Sequence, residues 1–480
     1  AKAEALAELQ AALVRREQLQ DLGQFERAMA AGRALLPQLE AVDDPAAWGT
    51  YHGLEALDLL MLGRGGEALA SATAALGAAG RSGDPDTILH ATLILTRITL
   101  RTGRIEESTR WQRLSESLSE QATDPWFRFE LHKARAFLAT TIGDRRGAES
   151  GFADALAWSR EHHPPDSFEL AVELLNHGTA AIRLGLALRG DWPPGPAEAE
   201  PTNPEEVLSP AERRSRAERL IIDGLAETRH GLAQGSARLT DRHPIMIAGL
   251  LELAGLLVAL GRDDEVPAVL DRLEAAVAEL PITDGSRRSV ELARARSLAA
   301  AGHCDRAFAK LDAQRAALEA DGESTPAMRA NAAMNAAALC QWSHPQARAL
   351  LDRAVDLLDP DPEQPASTLG AVAHRNRALS RIAWALAADP AADPALLDEA
   401  RARAEADLAR ARATFARLQG TALTGTDQDA IIAVVEHMLE LAYAPPGSAT
   451  AEARARLGAQ RHRLDELNQA EMLTLLDRLL

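Results

Sequence analysis

Residues 45–85, PAAWGTYHGLEALDLLMLGRGGEALASATAALGAAGRSGDP, hold one complete unit of this chain. Asp44 before Pro45 reads as a helix cap followed by proline in the first turn, where a missing N–H costs nothing. Apolar residues then recur three and four apart from Ala46 to Leu62, stop at Gly63, and resume from Glu67 to Ala79. That spacing makes one apolar stripe per helix, so the stretch predicts an αα-hairpin whose stripes must face neighbours. Asp84-Pro85 then closes it, because the residue before proline is pushed out of the α region.

Outward from this unit, the turn glycine recurs as Gly23, Gly63, Gly103 and Gly143, each forty residues after the last. A small residue follows five positions on, as Ala28, Ala68, Ser108 and Ala148. Four copies at a fixed period mean that one supersecondary unit is stacked. The cadence returns less purely as Gly261 with Val266, Gly302 with Ala307, and Trp342 with Ala347. Leu6, Leu9 and Leu13 start the array, and Thr123-Asp124-Pro125 and His243-Pro244 mark further joints. The expected fold is therefore all-α: a right-handed superhelical solenoid of about ten antiparallel hairpins.

Four segments follow from this pattern: a regular array over residues 1–190, an insertion at 191–208, a degenerate array over 209–358, and longer hairpins with a capping helix over 359–480. The insertion, DWPPGPAEAEPTNPEEVL, is too rich in Pro and Glu to bury a core, and it falls where the turn between Phe168–Leu188 and Pro210–Ala233 belongs. Ile245–Leu260 with Asp264–Leu280 is read as the sixth hairpin. Ala451–Leu479 is read as the helix that caps the array.

Composition narrows the function classes. The hydrophobic share of 46% is carried by Ala and Leu while aromatics are 4%, which suits helices. The formal net charge is −18, and of 52 basic side chains only Lys2, Lys133 and Lys310 are lysine, an arginine bias that points to a high-GC bacterial source. An acidic balance without a basic stripe argues against nucleic acid or anionic membrane as the main partner. Cys304 and Cys340 are too few for a disulfide framework, and the sequence opens on no signal-like segment, so a reducing cytoplasm is expected.

The small residue within the first helix (Ala56, Ala136, with Thr96 and Ala295 equivalent), the turn glycine and the small residue early in the second helix resemble the tetratricopeptide repeat. The period is forty rather than about 34, and the repeat's early Trp and Tyr are mostly absent. The chain is similar to the longer, degenerate tetratricopeptide-like arrays of bacterial signalling proteins, some of which carry a transcription-activator or caspase-like CHAT module. That resemblance implies a concave groove lined by first helices and a protein or peptide partner. Mapping the turn to a common register places Arg97, Lys133, Phe137 and Arg296 toward it, with Asn331 and Asn335 on one later helix and His374, Arg377 and Arg381 on the next. Asn can hydrogen-bond an extended backbone and Arg can grip a carboxylate with two donors.

Catalytic signatures are missing. There is no GxxxxGK[ST], HExxH or GxSxG, and Gly63-Arg64-Gly65-Gly66 follows no strand. Asp359, Asp361 and Glu363 alternate as in a calcium loop, but the intervening prolines deny the backbone path. Glu161, His162, His163, Asp166, Glu173 and His177 are the one concentration of possible metal ligands, although adjacent histidines diverge at a helix end. The sequence therefore predicts a non-catalytic scaffold without cofactor or metal. A sensor array that controls an effector, in trans or on a longer chain, is the alternative, and an enzyme built on the repeats a third reading; oligomeric state stays open.

Overall fold

The computed structural model describes residues 2–190, 209–322, 324–339, 345–359, 367–387, 394–418 and 426–443. The insertion, Cys340, Trp342 and the capping helix lie outside them. Among the described residues every regular element is helical, and the chain divides into two compact units, Ala1–Leu260 and Gly261–Leu480. The first holds α1 (Lys2–Asp21), α2 (Phe25–Val42), α3 (Pro45–Met61), α4 (Gly65–Ser82), α5 (Pro85–Arg101), α6 (Ile105–Ser119), α7 (Trp126–Ile142), α8 (Arg145–His162), α9 (Phe168–Arg189), α10 (Pro210–Leu239) and α11 (Pro244–Ala259). The second holds α12 (Val266–Val277), α13 (Gly285–Ala300), α14 (Cys304–Ala320), α15 (Pro326–Ala338), α16 (Pro345–Leu358), α17 (Thr368–Ala387), α18 (Pro394–Leu418) and α19 (Thr426–Ala442).

Helices pack on their sequence neighbours and, less extensively, on the helix two places along, as α1 does on α3, α5 on α7 and α17 on α19. That nearest-neighbour pattern defines an all-α solenoid. The expected sixth hairpin is divided. α11 packs on α9 and α10 in the first unit, whereas α12 packs on α13 in the second.

The glycine cadence has a single geometric cause. Gly23, Gly63, Gly103, Gly143 and Gly302 all have φ between 71° and 81°, left-handed values that a side chain disfavours. The next residue's N–H then reaches back to the first helix, Arg64 to the Leu59 carbonyl at 2.8 Å and Arg104 to Thr99 at 2.8 Å, which satisfies a carbonyl the helix leaves open. Five residues beyond each glycine, Ala28, Ala68, Ser108, Ala148 and Ala307 are buried, so the two helices approach closely there. In the third hairpin that contact is polar: Ser108 Oγ donates to the Thr96 carbonyl at 2.9 Å.

The Asp-Pro joints work as helix starts. Asp44 accepts from the Ala47 N–H and Asp84 from the Thr87 N–H, each at 2.9 Å, with proline at the next position. Ser209 and Glu212 form a reciprocal capping box at the head of α10. Buried charge also ties hairpins together: Arg16 donates to Asp58 at 2.8 Å and to the Tyr51 carbonyl at 3.0 Å. Burial raises the Asp58 carboxyl above its ordinary pKa, against the pull of Arg16.

The fifth hairpin departs from the others. A Cβ on Gly178 would sit 2.6 Å from the Gly224 carbonyl oxygen, and one on Gly224 2.6 Å from that of Gly178. Seven residues on, a Cβ on Gly185 would lie 2.9 Å from the Ala217 carbonyl oxygen and one on Gly231 2.7 Å from that of Ala171, so α9 and α10 touch along their main chains. α10 runs on to Leu239 rather than ending at Ala233, because Leu232 is buried and Gly235 abuts Met246 of α11. It stops at Thr240, whose φ of 72° leaves helical space.

Candidate functional site: the inner face of the first unit

Within the first unit the odd-numbered helices share an inner face that lines two adjoining hollows. The smaller, about 180 Å³, is walled by α1, α3, α5 and α7. The larger, about 410 Å³, is walled mainly by α5, α7, α9 and α11. Arg97, Leu100, Arg101, Lys133 and Phe137 border both.

The arc of hairpins that carries this face returns to its own start. His243, at the head of α11, donates from Nε2 to the carbonyl of Asp21, the last residue of α1, at 3.1 Å, while its Nδ1 accepts from the Ile245 N–H at 3.3 Å. Those partners require the neutral ring, and burial lowers the His243 pKa accordingly. Gly23 is needed here twice over, for its positive φ and because a Cβ would lie 3.0 Å from the His243 ring. Phe168 closes edge-on over the same imidazole at 5.4 Å.

Charges on this face fall into two sorts. Lys133 pairs with Glu130 at 2.9 Å and Glu173 at 3.3 Å, and its ammonium lies 4.6 Å from the Phe129 ring centroid. Burial alone would lower the Lys133 pKa, but the two carboxylates raise it. Burial would likewise raise Glu130, and Lys133 with Arg97 overcomes that to hold it below the usual range. Arg183 pairs with Glu252 at 2.5 Å. By contrast, Arg97, Arg101, Glu17 and Asp21 have no side-chain ion pair among the described residues. Surrounding protein lowers Arg101, with Arg97 adding to it, although the side chain is open to solvent. Burial raises Glu17, with Asp21 adding to it, and raises Asp21, with Glu169 adding to it.

The residues expected at a groove are thus divided between the units. Arg97 and Lys133 border the hollows, and Phe137, half-buried, meets Phe152 edge-on at 5.0 Å. Arg296 is exposed on α13, while on α15 Asn331 is exposed and Asn335 half-buried. His374 and Arg377 of α17 are engaged within their own unit. His374 is 6% exposed, its Nδ1 on Asp407 at 2.7 Å and its Nε2 on Asp359 at 2.9 Å. Arg377 donates to Asp407 at 2.6 Å, and buried Arg381 bonds the same carboxylate. The acceptor on α18 draws all three side chains toward it, with His374 and Arg381 buried and Arg377 half-buried.

The histidine-rich stretch is dispersed. His162 stacks on Trp158 at 4.1 Å, Asp166 pairs with Arg238, and Glu173 belongs to Lys133. His177 lies between Glu227 at 2.5 Å and Glu149 at 3.6 Å. Burial would lower its pKa, but the two carboxylates raise it to about 9. Among the described residues no three His, Cys, Asp or Glu side chains converge as metal ligands, and Cys304 is half-buried. No described helix is long and apolar enough to cross a membrane.

Sequence reading missed Arg101, Glu17, Asp21 and the carboxylates that take up Lys133. Arg101 was within reach, since it lies one helical turn beyond Arg97 on the same face. Glu17 and Asp21 were equally within reach, since they precede Gly23 by six and two residues as Arg97 and Arg101 precede Gly103, but the register does not say which of these positions finds a partner.

No protein-family model matches the sequence, and no curated protein matches it significantly. Among solved structures, the chain is similar to one described as Naa15/Naa10 bound to HypK-THB, at 13% identity over 98% of this chain and 78% of that one, with a TM-score of 0.26. A second is the APC/C hetero-tetramer Cut9-Hcn1, at 12% identity over 97% of this chain and 95% of that one, with a TM-score of 0.24. Overlap this weak adds nothing to an architecture already evident in the helices themselves.

Proposed function

We propose that this chain is a non-catalytic binding scaffold whose inner face in the first unit receives a protein or peptide partner. The observation that carries the reading is the convergence of Arg97, Arg101, Lys133 and Phe137, from two successive inner helices, on adjoining hollows. A rigid stack of capped hairpins loses little freedom when a ligand docks, so binding energy is not spent on ordering the receptor. Mixed apolar and charged walls suit a partner that presents both kinds of group.

The test is site-specific photo-crosslinking in the native host. A photoreactive phenylalanine at Phe137 should give a discrete adduct, and the same group at exposed Arg113 on the outer helix α6 should not. Arg97→Ala with Arg101→Ala should weaken the adduct at least about tenfold, as loss of two charge-assisted contacts implies. Equal adducts at both positions, or none at Phe137, would sink the proposal.

A further inference from the structure

Two like-charged pairs face the smaller hollow. Glu17 and Asp21 are four apart at the end of α1, and Arg97 and Arg101 are four apart at the end of α5. Like charges at this spacing repel along a helix. The acidic pair is unfavourable a second time, because it sits at a helix C-terminus where the dipole disfavours negative charge.

Opposite charges on the walls of one cavity would ordinarily resolve this by pairing. Here they do not: none of the four makes an ion pair among the described residues, whereas Lys133, Glu130, Glu173, Arg183 and Glu252 on the same face are all paired. The same hollow is lined by apolar Leu57, Leu93, Ile94 and Trp126 and by polar His90, Thr96 and the Glu130–Lys133 pair. At about 180 Å³ the hollow is smaller than a drug-sized pocket and far too small for a helix.

We propose that this hollow binds a small zwitterion, its ammonium on Glu17 and Asp21, its carboxylate on Arg97 and Arg101, and an apolar span between them. Such a ligand gives each of these solvent-exposed pairs a direct ionic partner, where Arg97 otherwise has only the longer-range attraction of Glu130, and charge-assisted hydrogen bonds are the strong ones. The shared chemistry belongs equally to a free short peptide and to an amino acid with its two groups far apart. The inference rests on the reading of the inner face as a binding surface and narrows what enters one end of it.

The test is calorimetric titration of the purified full chain with ω-amino carboxylic acids of increasing length, against alkylamines and alkanoates of matching length. Leu-Ala-Leu with free, singly capped and doubly capped ends forms a second series. The expected result is an optimum length, and a loss of at least about tenfold when either charge is removed. In Arg97→Ala/Arg101→Ala the zwitterion should bind no better than the alkylamine, and in Glu17→Gln/Asp21→Asn no better than the alkanoate. Circular dichroism identifies any variant that fails to fold, and Glu17→Gln alone then serves as the milder change. The free tripeptide outbinding the best ω-amino acid would assign the source as peptide, and the reverse as an extended amino acid; both support the zwitterion. Alkylamines binding as well as zwitterions, the absence of a length optimum, or no binding at millimolar concentration would overturn it. A Phe137 adduct alongside no zwitterion binding would remove this inference alone, and zwitterion binding without the adduct would remove the partner reading alone.

Discussion

Two arginine pairs, one in each unit, are treated in opposite ways. In the first, Arg97 and Arg101 end α5 with no carboxylate at ion-pair distance among the described residues. In the second, Arg377 and Arg381 on α17 share Asp407 of α18, and Arg410 closes on Asp359 at 2.8 Å, with His374 between the two carboxylates. The difference lies in what the neighbouring helices offer. Near α5, Glu116 pairs with Arg135 at 2.6 Å and Glu130 with Lys133, so Glu130 reaches Arg97 only at longer range, and Glu17 and Asp21 on the same hollow make no ion pair with either arginine. A basic residue on an inner helix of a repeat therefore does not by itself mark a binding face.

The largest effect expected from this contrast is at Asp407. Its carboxylate is 4% exposed and accepts from three cationic or ionisable side chains, so Asp407→Ala would leave buried charge uncompensated. Loss of one member of a buried network costs about 3–5 kcal/mol, read as a fall in the urea midpoint. Replacing Arg377, Arg381 and Asp407 together with Met, Met and Leu should recover most of that. A loss under about 1 kcal/mol for the single variant would mean that the second unit's arginines are as dispensable as those of the first.

His177 gives the next largest effect and shows that the first unit also satisfies charge when acceptors are present. Its pKa is raised from 6.5 to about 9 by Glu149 and Glu227 against the pull of burial. A cation whose folded pKa lies above the unfolded value stabilises fully below the unfolded value and loses that contribution as pH rises through the folded one. The stability difference between the wild type and His177→Gln should thus be complete below pH 6.5, at most about 3 kcal/mol, and fade toward pH 9. Urea titrations across that window measure it. A difference that does not change with pH would show that His177 acts by packing instead.

The same contrast explains what could be read in advance. The hairpins were legible because a left-handed turn needs glycine and a close helix pair needs a small residue five positions later, both of which leave a mark at fixed spacing. The register that places Arg97, Lys133 and Phe137 on inner helices is equally local. Partnership is not local: Asp407 lies 33 residues from His374, and Glu227 lies 50 from His177. Nothing at a basic position announces that its acceptor exists. The backbone contact of α9 with α10 did leave a sign, the sevenfold spacing of Gly178 with Gly185 and of Gly224 with Gly231, but isolated glycines inside a helix read first as defects. Nor does the division at Leu260 and Gly261 interrupt the glycine cadence, which continues through Gly261 itself.

The smallest effect is the most discriminating. If Arg97 and Arg101 are structurally idle, Arg97→Ala/Arg101→Ala should change folding stability by less than about 0.5 kcal/mol, since surface changes without packing partners fall in that range. Relief of repulsion four residues apart and the better helix propensity of alanine oppose the loss of Arg101 from a helix C-terminus and of the Arg97 attraction to Glu130, so the net change stays small. Thermal unfolding followed at the helical band, beside Arg377→Ala/Arg381→Ala as the satisfied counterpart, puts the two units on one scale. A loss above about 1 kcal/mol at Arg97 and Arg101 would show that they hold α5 in place, and their exposure to the hollow would then be a by-product of packing. A neutral or stabilising result leaves two charges that folding does not require on the wall of a cavity, which is what the proposed carboxylate site needs.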